Sequence, residues 1–170
     1  MPNTLILVDK MDNEIGYDEK EKCHKGDLKL HRSFSVFIFN SDGKLLIQKR
    51  SRSKNTWPGF WSNTCCSHPY KGESAEAAAR RRLKEELGFS CPLNFLFKFE
   101  YEAKYNSVWG EHEMDWVFSG YYDGNIKPNK DEIEEIKFVD VNWLKKDIKA
   151  NPGKYTPWLK ICFENVLDRI

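Results

Sequence analysis

NTCCSHPYKGESAEAAARRRLKEELGF, residues Asn63 to Phe89, runs from two adjacent cysteines and a histidine into a glycine-led, highly charged segment. Ser74 is a good helix N-cap, Glu76 lies in the first turn where a carboxylate suits the dipole, and Gly88 supplies a left-handed stop. Ala75, Ala79, Leu83 and Leu87 recur at every fourth position and predict the buried stripe of that helix. Arg82 and Glu86 are neighbours on one face, with Glu85 beside them. A solvated face of ion pairs is the plain reading of such a run. The glycine-led loop Gly72-Glu73 before paired carboxylates also suits a helix that holds Mg²⁺ against phosphate oxygens, because hard oxygen ligands suit that ion.

On either side of this helix the pattern is one of strands. Leu5 to Val8 predicts a first strand, and the polar run Asp18 to Lys29 a loop or short helix. FSVFIF (Phe34 to Phe39), the turn Ser41-Asp42-Gly43 and LLIQKR predict a hairpin. Leu93 to Tyr105 and Glu111 to Tyr122 form a second strand pair, and Ile136 to Val141 a last strand that passes into a helix from about Asn142. A final helix is expected over Pro157 to Leu167. No repeat, linker or low-complexity stretch divides the chain, so one mixed α/β domain over residues 1–170 is expected.

Lys+Arg of 27 against Asp+Glu of 26 leaves a net charge of +1, too little for a global field toward nucleic acid or an anionic membrane. Any anion must then be caught by a local cluster. Leu5 to Val8 is followed at once by Asp9 and Lys10, so neither a signal peptide nor a membrane span is expected there. Five cysteines without regular spacing point to free thiols and a cytoplasmic location. Aromatic residues at 14%, six of them Trp, point to large buried rings or an aromatic-lined pocket. Monomer and homodimer both remain open.

Cys-Cys-Ser-His suggests half a zinc site, but Cys23, Cys91 and Cys162 are scattered and supply no second pair. In an extended segment, Cys66 and His68 share one face and Cys65 and Ser67 the other. The same rule puts Glu111 and Glu113 on one strand face with His112 turned away. His24 and His31, seven apart, are too far for one H-x3-H turn but able to converge through a loop. Each signal alone is more often surface decoration. Together they allow a three-His, two-Glu site from His24, His31, His68, Glu111 and Glu113, suited to Mn²⁺, Mg²⁺ or Zn²⁺.

The central stretch resembles the Nudix box, G-x5-E-x7-R-E-U-x-E-E-x-G-U. The matching positions read Ser67, Glu73, Arg81, Arg82, Leu83, Glu85, Glu86, Gly88 and Phe89. Ser67 stands where the box has glycine, and Arg82 where it has an acidic residue used to bind the metal that activates water. An arginine grips a diphosphate but does not help ionise water. A Nudix diphosphohydrolase is therefore the alternative reading, with Arg82 against it.

The resemblance sharpens when separate motifs are joined. His24-x6-His31, WPGFWSNTCCSHP from Trp57 to Pro69, the box with Arg82, Tyr101-x9-Glu111-x-Glu113, and Thr156-Pro157-Trp158 follow one another as in the type I isopentenyl-diphosphate Δ-isomerases. That resemblance implies a Nudix-type α/β/α sandwich with a mixed sheet, the Nudix helix and an extra N-terminal strand and loop. It implies interconversion of isopentenyl and dimethylallyl diphosphate by protonation and deprotonation through a tertiary cation. Cys66 and Glu113, the latter hydrogen-bonded to Tyr101, would move the protons, and Trp158 would face the cation. Lys20, Arg50, Lys54 and Arg82 would bind the diphosphate. Glu86 would hold its Mg²⁺, and the three-His, two-Glu set a second divalent ion.

Overall fold

The computed structural model describes residues 3–170. β1 (Thr4–Val8) pairs antiparallel with β2 (Glu14–Glu19), and the chain then turns through the short helix α1 (Lys20–Cys23). β3 (His31–Phe39) is the spine of the sheet. It lies parallel to β8 (Gly110–Tyr121) over its whole length, from His31↔Glu113 to Phe39↔Tyr121. β7 (Asn94–Lys104) closes an antiparallel hairpin on β8, as the sequence predicts.

The other expected hairpin is largely undone. β4 (Leu45–Arg50) meets β3 only at Phe39↔Leu45 and then diverges to pair with β9 (Ile133–Val139). Two short strands enter the opening: β5 (Trp61–Ser62) pairs with β4, and β6 (Cys65–Ser67) pairs with β3 at Phe34↔Ser67, Ser35↔Cys66 and Val36↔Cys65. The splay has a function in the architecture, because it admits the cysteine pair into the middle of the sheet.

Both faces of the sheet are covered. Phe34, Val36 and Ile38 of β3 pack with Ala75, Ala79, Leu83 and Leu87 of the helix α2 (Ala75–Leu87). Phe37 and Phe39, alternating with them, pack with Leu144 of α3 (Val141–Ala150) and with Leu159, Phe163 and Val166 of α4 (Pro157–Leu167). A strand buried on both faces reads as a continuous apolar run, and β3 does. The result is a mixed sheet between helical layers, an α+β sandwich of the expected kind. α2 begins where expected, with Ser74 Oγ accepting from the Ala77 N–H at 3.2 Å, and ends with Gly88 at φ 76°. A Cβ at Gly88 would stand 3.2 Å from Lys127 Cβ, so both the left-handed backbone and the close chain favour glycine there. No helix among the described residues is long and apolar enough to cross a membrane.

Candidate active site

One cavity of about 630 Å³ opens where β6, β8, α1 and the loop after β4 meet. Cys66, Tyr101, Glu113 and Trp158 line it, together with Lys20, Arg50, Lys54 and Arg82. His24, His68 and Glu111 also reach its wall. His31 is fully buried behind them, and Glu86, 3% exposed, lies behind Arg82 rather than on the cavity surface.

The strand period places the chemistry. Cys66 and His68 face the cavity, while Cys65 is fully buried against α2. On β8, Glu111 and Glu113 point inward, and His112 bonds outward to Glu100 at 2.9 Å. Tyr101 is the register partner of Glu113 on β7, and its hydroxyl donates to Glu113 Oε2 at 2.6 Å. Burial pushes the Cys66 thiol up to about 12 despite the Arg50 charge, whose Nη1 is 3.9 Å from the sulfur. Burial pushes Glu113 up as well, but when His31 and His24 are protonated the His31 bond and the two imidazolium charges outweigh that and hold it at about 2.

Glu113 is one of five ligand-type side chains that converge. His24, His31, His68, Glu111 and Glu113 each offer an atom within 4.8 Å of all the others. His24 Nδ1 donates to the Lys20 carbonyl at 2.6 Å and His31 Nδ1 to the Lys29 carbonyl at 2.7 Å, which turns both Nε2 lone pairs inward. His31 Nε2 and His68 Nε2 lie 3.2 Å apart, and buried Glu111 Oε2 has no hydrogen-bond partner although His24 Nε2 is 2.8 Å away. Facing lone pairs and an orphaned carboxylate oxygen fit a divalent cation at their centre. Thr56 Oγ1 donates to the other oxygen, Glu111 Oε1, at 2.8 Å and leaves Oε2 as the free donor.

Cations line other parts of the cavity. Arg82 contacts Glu85 at 2.8 Å, Glu86 at 2.5 Å and Glu132 at 3.3 Å, and Lys54 pairs with the same Glu132. Burial opposes the Arg82 charge, but Glu86, Glu85 and Glu132 outweigh it and hold the guanidinium protonated. Lys20 also lines the cavity, its pKa lowered by desolvation among its neighbours and then by the Lys54 charge. Arg50 donates to the Thr56 carbonyl at 2.9 Å and the Trp57 carbonyl at 3.2 Å, fixing a loop in which Trp57 adopts φ 44°. A bulky side chain in that region is strained and persists only where its surroundings hold it.

Trp158 is 3% exposed, with Trp57 packed edge-on at 5.5 Å between ring centroids. The Arg50 guanidinium carbon sits 5.2 Å from the Trp158 ring centroid, a cation–π distance. Two acids escaped the sequence reading. Glu132 comes from an irregular loop without a motif. Asp115, on the same face of β8 as Glu113, is buried with Ser33 and Ser35 hydroxyls on its oxygens at 3.2 and 2.8 Å. Burial, then the Glu113 charge, pushes its carboxyl well above the usual range.

The NUDIX domain family model matches residues 29–159. The chain is 46% identical over 167 residues to Isopentenyl-diphosphate Delta-isomerase 1 of Aromatoleum aromaticum, covering 98% of this chain and 94% of that protein. It is 44% identical over 158 residues to Isopentenyl-diphosphate Delta-isomerase of Serratia proteamaculans, covering 93% and 88%. Among solved structures, a protein from Deinococcus radiodurans superposes with a TM-score of 0.71 at 22% identity, covering 87% of this chain and 90% of that one. A MutT NUDIX hydrolase from Burkholderia pseudomallei gives 0.56 at 22% identity, covering 66% and 84%. At that identity the structures speak for the fold alone. The sequence relatives go further, and across nearly its whole length this chain belongs to the isopentenyl-diphosphate Delta-isomerase family on the Nudix fold.

Proposed function

We propose that this protein, as one domain, interconverts isopentenyl and dimethylallyl diphosphate in isoprenoid biosynthesis, with Cys66 and Glu113 moving the protons. The observation that carries the reading is the meeting of Cys66, the Tyr101–Glu113 pair and the Trp158 ring in one cavity walled by Lys and Arg. An unactivated alkene needs a proton on its terminal carbon, which leaves a tertiary cation, and then loss of a proton from the carbon beside the diphosphate-bearing one. One group gives a proton and the other takes one, and the roles exchange with the direction of reaction. Tyr101 holds Glu113 in place through its 2.6 Å bond. Trp158 offers its ring face to the cation, an attraction worth about 2 kcal/mol where water is excluded. Exclusion of water also keeps the cation from being captured as an alcohol.

Lys20, Arg50, Lys54 and Arg82 bind the diphosphate from the cavity wall. Glu86, paired with Arg82 on the same helix face, would hold the Mg²⁺ of the diphosphate, which would offset the phosphate charge. His24, His31, His68, Glu111 and Glu113 would hold a second divalent ion, Mn²⁺, Mg²⁺ or Zn²⁺. Charge supplied there sets the acidity and orientation of Glu113. The hydrolytic alternative loses support at Arg82, a cation in place of a metal-binding carboxylate. Five free thiols favour a cytoplasmic location.

Incubation with isopentenyl diphosphate and Mg²⁺ or Mn²⁺ in D₂O, followed by NMR, tests the reading. Deuterium should appear in the new methyl group of the product, and Cys66→Ala should abolish it. Release of phosphate without an allylic product would overturn the proposal.

A further inference from the structure

The Trp158 indole is tied to the strand that carries Cys66 through one fully buried side chain. Asn63 Oδ1 accepts from Trp158 Nε1 at 3.1 Å, while Asn63 Nδ2 donates to the Cys65 carbonyl at 2.9 Å and to the Val36 carbonyl at 3.1 Å. Ser62 Oγ, 3.0 Å from Trp158 Nε1, donates to the same Asn63 Oδ1 at 2.9 Å and meets Thr156 Oγ1 at 3.1 Å. Asn63, Ser62 and Thr156 are all 0% exposed, and the Asn63 carboxamide spends both its N–H groups and its oxygen within the protein.

We infer that Asn63 is a positioning residue, setting the Trp158 ring against the strand that carries Cys66. A buried indole N–H must find an acceptor, so the ring adopts the orientation in which Nε1 points at Asn63 and Ser62. Because the same carboxamide grips the Cys65 carbonyl, one residue before Cys66, ring and thiol share a single rigid reference. Cys65 thereby contributes its backbone rather than its sulfur. Aspartate would keep the acceptor for the indole but lose both donors to the carbonyls.

The inference rests on Trp158 facing the cation, and a double-mutant cycle separates the two. Asn63→Ala should lower kcat about 10- to 100-fold with KM within about twofold, as expected for a misplaced group. Trp158→Phe keeps a ring but removes the N–H. In that background Asn63→Ala should cost less than about threefold, since the tie is already cut. Losses that multiply would overturn the inference while leaving Trp158 its role. Full activity in Trp158→Ala would instead remove the cation-facing reading. Should Asn63→Ala fail to fold, the unmodified protein still answers. Its Trp158 indole N–H, identified in ¹H–¹⁵N spectra by its loss in Trp158→Phe, should exchange with D₂O more slowly than the other indole protons. Exchange as fast as an exposed indole would overturn the inference.

Discussion

Arg82 and Glu86 face each other at 2.5 Å across one turn of α2, so that the cation stands at the cavity wall and the carboxylate behind it. The arginine that departs from the Nudix box is thus the residue of the pair that a bound diphosphate would meet first. Glu85 and Glu132 also bear on it, which leaves the guanidinium charged and fixed in direction. Arg82→Gln should raise KM for isopentenyl diphosphate roughly tenfold or more, with a smaller effect on kcat, because a bidentate charge-assisted contact is lost. Steady-state kinetics check this, and an unchanged KM would remove Arg82 from the diphosphate site.

Tyr101→Phe removes one oxygen from a buried pair and little else. A hydrogen bond to a charged group contributes about 1.5–3 kcal/mol, and 1.36 kcal/mol is tenfold in rate, so kcat should fall about 10- to 100-fold. KM should hold, because Tyr101 bonds Glu113, the proposed proton carrier, and none of the cations proposed to bind the diphosphate. Wild-type turnover in the variant would show that Glu113 is oriented without the phenol.

Much of this site is legible in the sequence where local periodicity governs it. Alternation alone separates Glu111 and Glu113 from His112, and Cys66 from Cys65, because a strand exposes every second side chain to one face. The cap at Ser74 and the stop at Gly88 are equally local. What escapes reading is set by distant pairing. β2 (EIGYDE) is an edge strand with mostly exposed side chains, so its composition is that of a loop. The opening between β3 and β4 depends on β5 and β6 entering it, although the turn at Ser41-Asp42-Gly43 suggests a full hairpin. Glu132 reaches Arg82 and Lys54 from a loop fifty positions away in the chain from the former, and no motif marks it.

The Glu73–Arg81 pair anchors the loop that opens α2, and it makes a pH-dependent contribution to stability. Arg81 Nε and Nη2 donate to the two Glu73 oxygens at 2.8 and 2.9 Å, and the Tyr70 N–H adds a bond at 2.9 Å. The Arg81 hydrogen bonds outweigh partial burial and hold the Glu73 carboxyl below its usual value of 4.5. A depressed folded pKa stabilises fully above the unfolded pKa and is lost as pH falls through the folded one. Glu73→Gln should therefore cost about 1 kcal/mol at neutral pH, after allowance for solvent screening, with the difference from wild type shrinking below pH about 4. Denaturant unfolding at pH 7 and pH 3.5 measures both. A difference that is the same at the two pH values would assign the effect to packing rather than to the ion pair.

Removal of divalent metal should loosen the fold as well as stop turnover, because the three-His, two-Glu cluster joins separate parts of the chain. His24 follows α1, His31 opens β3, His68 follows β6, and Glu111 and Glu113 sit on β8. Without a cation, the facing His31 and His68 nitrogens at 3.2 Å and the orphaned Glu111 oxygen must share protons or lie unpaired. An ion that binds only the folded protein adds about 2.7 kcal/mol at a free concentration one hundred times its Kd. Chelator-treated protein should accordingly melt several degrees lower, and Mn²⁺, Mg²⁺ or Zn²⁺ should restore the melting temperature in a concentration-dependent way. His31→Ala should abolish that gain, since its ring is fully buried and turned inward by the Lys29 carbonyl. Binding displaces protons from imidazole, so the restoring concentration should rise as pH is lowered from 8 to 6. A melting temperature indifferent to chelator, metal and the His31 substitution would mean that these five side chains hold one another without an ion.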